Sequence, residues 1–470
     1  MSQLYTTSDF LRLPINYDRL VNSSLDVKED STLIINNNNQ ELLDRYINDA
    51  LKKNVKQIIT STNSKTEDNK ILKFKNYEEI FNLVLENIYK DYRKLNYYGI
   101  TGTNGKTTTG YYLKQLIGES CLFVGTIDQE NDFSFTNETH LTTPKLFNLL
   151  KLLRLKNKKY SSIVLEVSSH ALEQERLPNI EFEVSGFTNL SQDHLDYHQN
   201  MENYFLAKSK LFKKGISKKM VYVDSNYGRQ LVQLSTIPSM SIGIENQNDV
   251  IFDPDQPLGK LKFKLLENDY ICHTNLKGPR AIENFLLAFT MAYFSEKIEI
   301  NDLIQLSKNI QNPIGRFQKI ESDKYEIIVD FAHTPEAIKE VINYAKSKKN
   351  KVKVVFGAGG NRDKSKRKYM GKSAALADEI IVSNDNPRNE DPYQIANDIL
   401  EGVPLNKNVQ VILDRAEAIN TAVSNLQEDE ILLILGKGHE KSQEIENEMF
   451  SFDDVQVAYD ALQVKQWLEL

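Results

Sequence analysis

Cysteine is nearly absent: Cys121 and Cys272 are the only two in 470 residues. Neither has a C-x-x-C partner, which argues against a zinc site or a disulfide framework. No apolar run approaches the ~18 residues that a membrane span needs. The opening MSQLYTTSDFLRLPINYDRL has no basic segment followed by an apolar one, so a secretory signal is not expected. Basic residues show no excess, with 58 Lys and Arg against 65 Asp and Glu and a net charge of -7. A nucleic-acid binder normally carries the opposite balance. Charges of both signs are interspersed, as on a solvated surface. There is no internal repeat, and the run Asn36 to Asn39 reads as a local polar turn or loop. These absences point to a cytoplasmic globular protein, without membrane insertion and without nucleic acid as partner.

What is present is an alternation of strand and helix patterns. The length suggests about three domains, and the pattern divides the chain into 1–95, 96–311 and 312–470. The first reads as a small α/β unit, with strands in STLIIN and VKQIITS, a helix in ELLDRYINDALKK, and a second helix over YEEIFNLVLENIYKDYRKL. The second opens with the strand LNYYGIT, a glycine loop and the helix TTTGYYLKQLIGE. The Pro and Gly punctuation of QNPIGRFQKI marks the next boundary. Beyond it strands and helices alternate to the end, which predicts a parallel, doubly wound sheet. Such sheets bind ligands at the carboxyl ends of their strands, where FGAGGNRD, VSNDNPR and LGKGHE fall.

The loop GITGTNGKTTTG, Gly99 to Gly110, has the look of a phosphate cradle with altered spacing. The general G-x-x-x-x-G-K-[ST] pattern, counted back from Gly105, needs a glycine where Ile100 stands. Glycines let backbone N–H groups approach phosphate, and the following helix N-terminus favours an anion. Lys106 supplies a point charge for terminal phosphates, and Thr107 a hydroxyl for magnesium. An isolated GKT is also compatible with a turn capping a helix; the flanking strand and helix favour the nucleotide reading.

The altered spacing in TGTNGKTTT resembles the phosphate loop of the Mur ligases, ATP-dependent amide-forming enzymes of peptidoglycan precursor synthesis. The resemblance continues in the family's order through LTTP (Leu141 to Pro144), EVSSHALEQERL (Glu166 to Leu177), FTNLSQDHLDYH (Phe187 to His198), YFLAKSKLF (Tyr204 to Phe212), NPIGRF (Asn312 to Phe317), VDFAHTPEAI (Val329 to Ile338), FGAGGNRDKSKR (Phe356 to Arg367), DNPRNEDP (Asp385 to Pro392) and GKGHE (Gly436 to Glu440). It covers about residues 99–460, whereas the first 95 residues match poorly. It implies a three-domain α/β architecture: a small N-terminal UDP-binding domain, a central P-loop ATPase domain and a C-terminal Rossmann-like doubly wound domain that binds an amino acid.

A carboxylate is a poor acyl donor, and phosphorylation by ATP turns it into an acyl phosphate that an amine can attack. The resemblance assigns ATP to Gly102, Thr103, Asn104, Gly105, Lys106, Thr107, Thr108, Asn284, Arg316, Asp330 and His333. It implies two magnesium ions, one on Thr107 and Glu166 and a second on His194. It also implies that Lys208 is carbamylated to N6-carboxylysine and serves as a metal ligand. Taken alone, Glu166 reads as a surface acid, His194 as a helix-start hydrogen bonder, and Lys208 as one solvated lysine among four in a basic helix-like segment, Ala207 to Gly215. His333 alone reads as a structural histidine after a strand. Carbamylation needs a neutral amine, hence a depressed pKa.

For the UDP-N-acetylmuramoyl dipeptide, the matching positions are Thr142, Thr143, Ser168, Gln174 and Arg176. Arg176 would pair with a carboxylate or phosphate. The family's glycine-containing DGxxF-like uridine stretch is replaced here by LIINNNNQELLDRYINDAL, and Ser24 is the remaining candidate uridine contact. DNPR resembles the motif version in members that add meso-diaminopimelate, which carries a second ammonium and carboxylate at its far end. Arg388 can grip that carboxylate bidentately, with Arg362, Asp385, Asn386, Pro387, Gly436 and Glu440 as the other contacts and Glu440 facing an ammonium. On its own DNPR is an ordinary Asn-Pro turn.

A monomer is expected. L-lysine or lanthionine as the third residue, a folylpolyglutamate-type ligase, and a non-catalytic partner that keeps the fold are the competing readings. A P-loop GTPase lacks support, because no guanine-reading N-K-x-D follows.

Overall fold

The structure is a computed structural model and describes residues 4–127, 141–156, 159–349 and 351–468. The chain divides into two compact units. The first takes in Met1–Asn96, Glu130–Ser161 and Gln174–Ile180; the second takes in Tyr97–Gln129, Ser162–Glu173 and Glu181–Leu470.

The first unit holds a five-stranded, all-parallel sheet in the order Leu4–Tyr5, Ile71–Phe74, Gln57–Ser61, Thr32–Ile34, Leu20–Val21. The asparagine run has a definite job. Asn39 caps the helix Gln40–Lys52, its Oδ1 accepting from Leu42 N at 3.1 Å. Asn is a strong cap because its side-chain oxygen satisfies an otherwise orphaned N–H. Leu43, Ile47 and Ala50 recur at helical spacing and bury against Leu33 and Ile58 of the sheet. The second expected helix is shorter than its pattern. It spans Tyr77–Ile88, after which Asp91 turns left-handed (φ 60°) into the short turn Tyr92–Lys94. The break buries Tyr92 completely, and a straight continuation of the helix is given up for that packing.

The second unit carries two large sheets. The nine-stranded one runs Asn268–His273, Lys260–Leu265, Val250–Phe252, Ser239–Gly243, Ser217–Val223, Phe182–Phe187, Asn96–Thr101, Ser162–Glu166, Cys121–Val124. Its first two neighbour pairs form an antiparallel meander at one edge. Parallel pairings join Asn96–Thr101 to Phe182–Phe187 and onward through Ser217–Val223 and Ser239–Gly243. The helices Lys106–Ile117 and Ala281–Phe294 share one apolar core, with Tyr112 edge-on to Phe285 at 6.4 Å.

The six-stranded sheet runs Gln318–Ile320, Glu326–Asp330, Glu430–Leu435, Lys351–Phe356, Glu379–Val382, Asn408–Val411, parallel except for its first strand. Buried clusters lie on both faces, one under the helices Pro335–Lys346, Arg367–Ala374 and Pro392–Leu400, the other under Arg415–Ser424 and Asp454–Leu468. This is the doubly wound arrangement that alternation predicts. Among the described residues no helix is long and apolar enough to cross a membrane.

One ion pair ties the carboxyl ends of this sheet together. Arg415, fully buried, donates to Asp454 through Nε and Nη2, both at 2.7 Å. It also donates to the carbonyls of Asn384 at 3.1 Å and Leu435 at 3.0 Å, one residue ahead of the DNPR and GKGHE segments. Removing one partner of a buried pair strands a charge. Asp454→Ala should therefore lose about 3–5 kcal/mol of stability, read as a lower urea midpoint. The double change Arg415→Met with Asp454→Leu should recover most of it; no recovery would mean that the loops need the guanidinium itself.

Candidate active site

The strand Asn96–Thr101 delivers the chain into the glycine loop, and the helix Lys106–Ile117 leaves it. Gly102 adopts φ 146°, and a Cβ there would lie 1.9 Å from Thr188 Oγ1. No other residue type fits that turn. Gly105 precedes the helix in a left-handed conformation without any side-chain cap, so the first helical N–H groups are left to a ligand or solvent. Thr103 Oγ1 accepts from Ser191 N at 3.0 Å, and Asn104 N donates to Asn189 Oδ1 at 3.0 Å. Thr109 Oγ1 donates to Asn284 Oδ1 at 3.3 Å. Thr108 is half-buried in the first helical turn.

Lys106 folds back on its own loop, Nζ donating to the carbonyls of Gly102 at 3.0 Å and Thr103 at 2.8 Å. Burial lowers its pKa, with Glu166 and Asp193 opposing. Glu166 ends its strand fully buried, unlike the surface acid that it reads as in isolation. Its Oε1 accepts from Thr126 N at 2.8 Å and its Oε2 from Thr126 Oγ1 at 3.1 Å. Thr107 Oγ1 accepts from Arg316 Nη2 at 3.0 Å. Arg316 lies 4.3 Å over the Phe331 ring, and Asp330 accepts from the backbone of Phe317 at 2.6 Å and Ala332 at 2.8 Å.

A second knot joins the two large sheets. Asp193 Oδ1 receives Lys366 Nζ at 2.8 Å, while His194 Nε2 and His333 Nε2 lie 3.5 and 3.8 Å from its Oδ2. Asn104 Nδ2 donates to Thr334 Oγ1 at 3.2 Å. His194 starts its helix in a left-handed conformation, φ 54°. Burial pushes its pKa down to about 3 and that of His333 down to about 4, so both imidazoles are neutral near pH 7. Lys208 is not solvated: it is 2% exposed, donates to Gly102 O at 2.9 Å, and sits 4.5 Å over the Tyr204 ring. Burial, then the neighbouring Lys106 charge, holds its amine well below the usual lysine range. The expectations for His194 and Lys208 named neither Asp193 nor Lys366, although both lie inside the quoted motifs. An acid directly before His194, and a lysine in a glycine-rich loop, were the available signals.

At the carboxyl ends of the six-stranded sheet, Asn386 is the centre. Its Nδ2 donates to Glu440 Oε2 at 2.9 Å, and its Oδ1 accepts from Lys437 Nζ at 3.1 Å. Lys437, fully buried, also reaches Glu440 Oε2 at 2.9 Å. Arg388 donates from Nη1 to Gly360 O at 2.7 Å and from Nε to Glu444 Oε2 at 2.8 Å. Gly360 is required where it is, because a Cβ would meet Pro387 O at 1.9 Å. Asp385 is buried, Gly436 N donates to Asp330 O at 3.1 Å, and Arg362 is exposed on the glycine loop. Lys437 and Glu444 were missed from sequence: a lysine between two glycines and a glutamate beyond GKGHE carry no separate signal.

Of the residues expected to meet the nucleotide-linked substrate, Thr143, Gln174 and Arg176 come together in the first unit. Arg176 donates from Nε to Gln174 Oε1 and from Nη1 to Thr143 O, both at 2.9 Å, beside a half-buried Thr142. Ser24 is buried in the same unit, its carbonyl accepting from Lys53 Nζ at 2.8 Å. Ser168 belongs to the second unit and accepts from Ala171 N at 3.2 Å.

Among the described residues no three His, Cys, Asp or Glu side chains form a ready metal cage. Magnesium does not require one, since it keeps waters and phosphate oxygens and takes one or two carboxylates. The donors present suit it: a buried carboxylate at Glu166, the Thr107 hydroxyl beside the helix start, and a neutral imidazole at His194.

The Mur ligase middle domain family matches residues 100–292, and the family described as Mur ligase, glutamate ligase domain, matches residues 315–438. A UDP-N-acetylmuramoyl-L-alanyl-D-glutamate–2,6-diaminopimelate ligase of Aquifex aeolicus is 38% identical over 380 residues, 79% of this chain and 78% of its own. A protein of the same name from Rickettsia bellii is 33% identical over 463 residues, 94% of this chain and 95% of its own. A solved structure bearing that name aligns with a TM-score of 0.62 at 27% identity, covering 99% of this chain and 100% of that one. The MurF ligase of Thermotoga maritima, solved in complex with ADP, shares the fold with a TM-score of 0.65 at 15% identity, covering 97% and 100%. With matches that run through the glycine loop, the buried Glu166 and the paired loops of the last sheet, the chain belongs to the Mur ligase family of ATP-dependent, amide-forming ligases.

Proposed function

We propose that the protein joins meso-diaminopimelate to UDP-N-acetylmuramoyl-L-alanyl-D-glutamate in peptidoglycan precursor synthesis, the reaction named for its relatives from Aquifex aeolicus and Rickettsia bellii. The observation that carries the choice of amine is the loop pair around Asn386, which presents the cationic Arg388 and the anionic Glu440. The far end of diaminopimelate is a zwitterion, and that pair is its complement. In this reading residues 1–95 bind uridine, 96–311 bind ATP and 312–470 bind the amino acid.

The glutamyl carboxylate of the dipeptide attacks the γ-phosphorus; an O–P bond forms, the bond to the β-phosphate oxygen breaks, and ADP leaves. The amine nitrogen then attacks the acyl carbon, phosphate departs, and the amine proton is released. The N–H groups at Gly102–Thr108 cradle the phosphates, and Lys106 exchanges its loop carbonyls for phosphate oxygens. Asn284 buttresses the loop, and Arg316, next to Thr107, faces the transferring charge. Asp330 and His333 shape the nucleotide edge from the last sheet. Thr107 and Glu166 would hold one magnesium ion, and His194 with a carbamylated Lys208 the second; bound there, the ions neutralise phosphate charge during transfer. Carbamylation itself balances simply: the neutral Lys208 amine adds to carbon dioxide and loses a proton. Ser24, Thr142, Thr143, Ser168, Gln174 and Arg176 bind the nucleotide-linked substrate. The protein works as a cytoplasmic monomer, where ATP and UDP-linked precursors are found.

ADP release measured with the UDP-linked dipeptide and a panel of amino acids tests this reading. Release should depend on both substrates and be fastest with meso-diaminopimelate. Release that ignores the UDP-linked dipeptide would refute it.

A further inference from the structure

The strands Ser442–Ile445 and Glu448–Ser451 form a two-stranded hairpin just after Gly436–Glu440. The functional reading above gives it no part beyond one contact to Arg388, yet it is stitched to the DNPR segment along its first strand. Gln443 Nε2 donates to Asp385 O at 2.7 Å, and Glu444 N donates to Asn386 Oδ1 at 3.0 Å. Arg388 N donates to Glu444 O at 3.0 Å, and Glu446 N donates to Arg388 O at 2.8 Å. Arg388 itself is left-handed, φ 54°, a conformation disfavoured for a residue with a side chain and held here by those backbone bonds.

The side chains repeat the pattern. Glu444 Oε2 takes Arg388 Nε at 2.8 Å and Gly360 O takes Nη1 at 2.7 Å, which leaves Nη2 for a substrate oxygen. The two side chains are 20% and 32% exposed, so the pair is shielded without being sealed. A free arginine side chain has many rotamers, and freezing one on binding costs affinity. A partner that fixes the guanidinium beforehand removes that cost.

We propose that Glu444 is a positioning residue for the amine substrate: it holds the Arg388 guanidinium so that its remaining donor meets the second carboxylate of the diamino acid. This rests on the reading of Arg388 given above. Glu444 touches no substrate atom, and its effect falls on capture of the amine rather than on phosphoryl transfer.

Steady-state kinetics of Glu444→Ala, Glu444→Gln, Arg388→Ala and the double variant Glu444→Ala with Arg388→Ala test it. Glu444→Ala should raise KM for meso-diaminopimelate about tenfold, the scale of one charge-assisted hydrogen bond at a partly exposed site. Its kcat and its KM for ATP should stay near wild type. Glu444→Gln, whose amide oxygen still accepts from Nε, should lie between. In the Arg388→Ala background, Glu444→Ala should add nothing, because a residue acting only through Arg388 has no one left to act through. An equal rise in KM in both backgrounds would mark Glu444 as a structural part of the hairpin and overturn the proposal. So would an unchanged KM in Glu444→Ala when Arg388→Ala is impaired. If Arg388→Ala alone leaves KM unchanged, the reading of Arg388 fails first, and the role of Glu444 falls with it.

Discussion

Supplied with L-lysine in place of meso-diaminopimelate, the wild-type enzyme should turn over up to ~10⁴-fold more slowly, the scale on which a site built for a polar group rejects an analogue lacking it. The two amino acids share the reacting centre and differ at the far end, where only diaminopimelate has a carboxylate. Arg388 is fixed there by Gly360 O and Glu444. With lysine bound, the remaining donor of its guanidinium would have no carboxylate to meet. Arg388→Ala should strongly raise KM for diaminopimelate, leave KM for ATP unchanged and erode the preference over lysine. Competitive kinetics with both amines read this directly. A wild-type enzyme that prefers lysine would sink the substrate assignment and leave the ligase standing; lanthionine, which also has two carboxylates, would pass this test and is separated from diaminopimelate by comparing kcat/KM.

Lys208→Ala should lower ADP release by ~10³-fold, the upper scale for losing a main electrostatic stabiliser. The amine is 2% exposed, and burial holds it well below the usual lysine range. A buried amine with a lowered pKa is more readily a nucleophile for carbon dioxide, and its product is a carboxylate. Short carboxylic acids such as acetate should partly restore Lys208→Ala, supplying the missing oxygens. Lys208→Arg, which cannot form a carbamate, should stay inactive and take no acetate rescue because its side chain fills the space. Carbon-13 spectra of wild-type enzyme in labelled bicarbonate should show a carbamate resonance that Lys208→Ala lacks. Full activity in Lys208→Ala would end the idea.

The order of strands and helices was readable because each large sheet is built from runs such as KVKVVF and EILLIL, bounded by glycine. Lys351–Phe356 and Glu430–Leu435 fall where those runs fall. The glycine loop was readable for the same reason: few backbones satisfy its spacing, and the strand and helix around it left little choice. Short edge strands were not. Leu20–Val21 and Gln318–Ile320 lie at the edges of their sheets, and two or three residues have no period. The helix ending at Ile88 was overrun because Tyr92 keeps the apolar pattern going while the backbone turns at Asp91. At the site, single residues were marked by motifs. Pairings were not, because Asp193 meets Lys366 and Arg388 meets Glu444 only after the fold brings remote loops together.

The Arg415–Asp454 pair has a consequence for how the molecule is made. Asp454 opens the helix Asp454–Leu468, which follows every strand of the six-stranded sheet in the chain and so leaves the ribosome after them. Domains form in the order in which they emerge, and the neighbours of the nucleotide loop, from Asn189 to Thr334, have all emerged before then. Until the final helix arrives, Arg415 is a cation with no counter-charge, and a bare cation resists burial. The two loops whose carbonyls it holds lack that tie for as long. The newborn chain therefore acquires its phosphate cradle before its amine pocket.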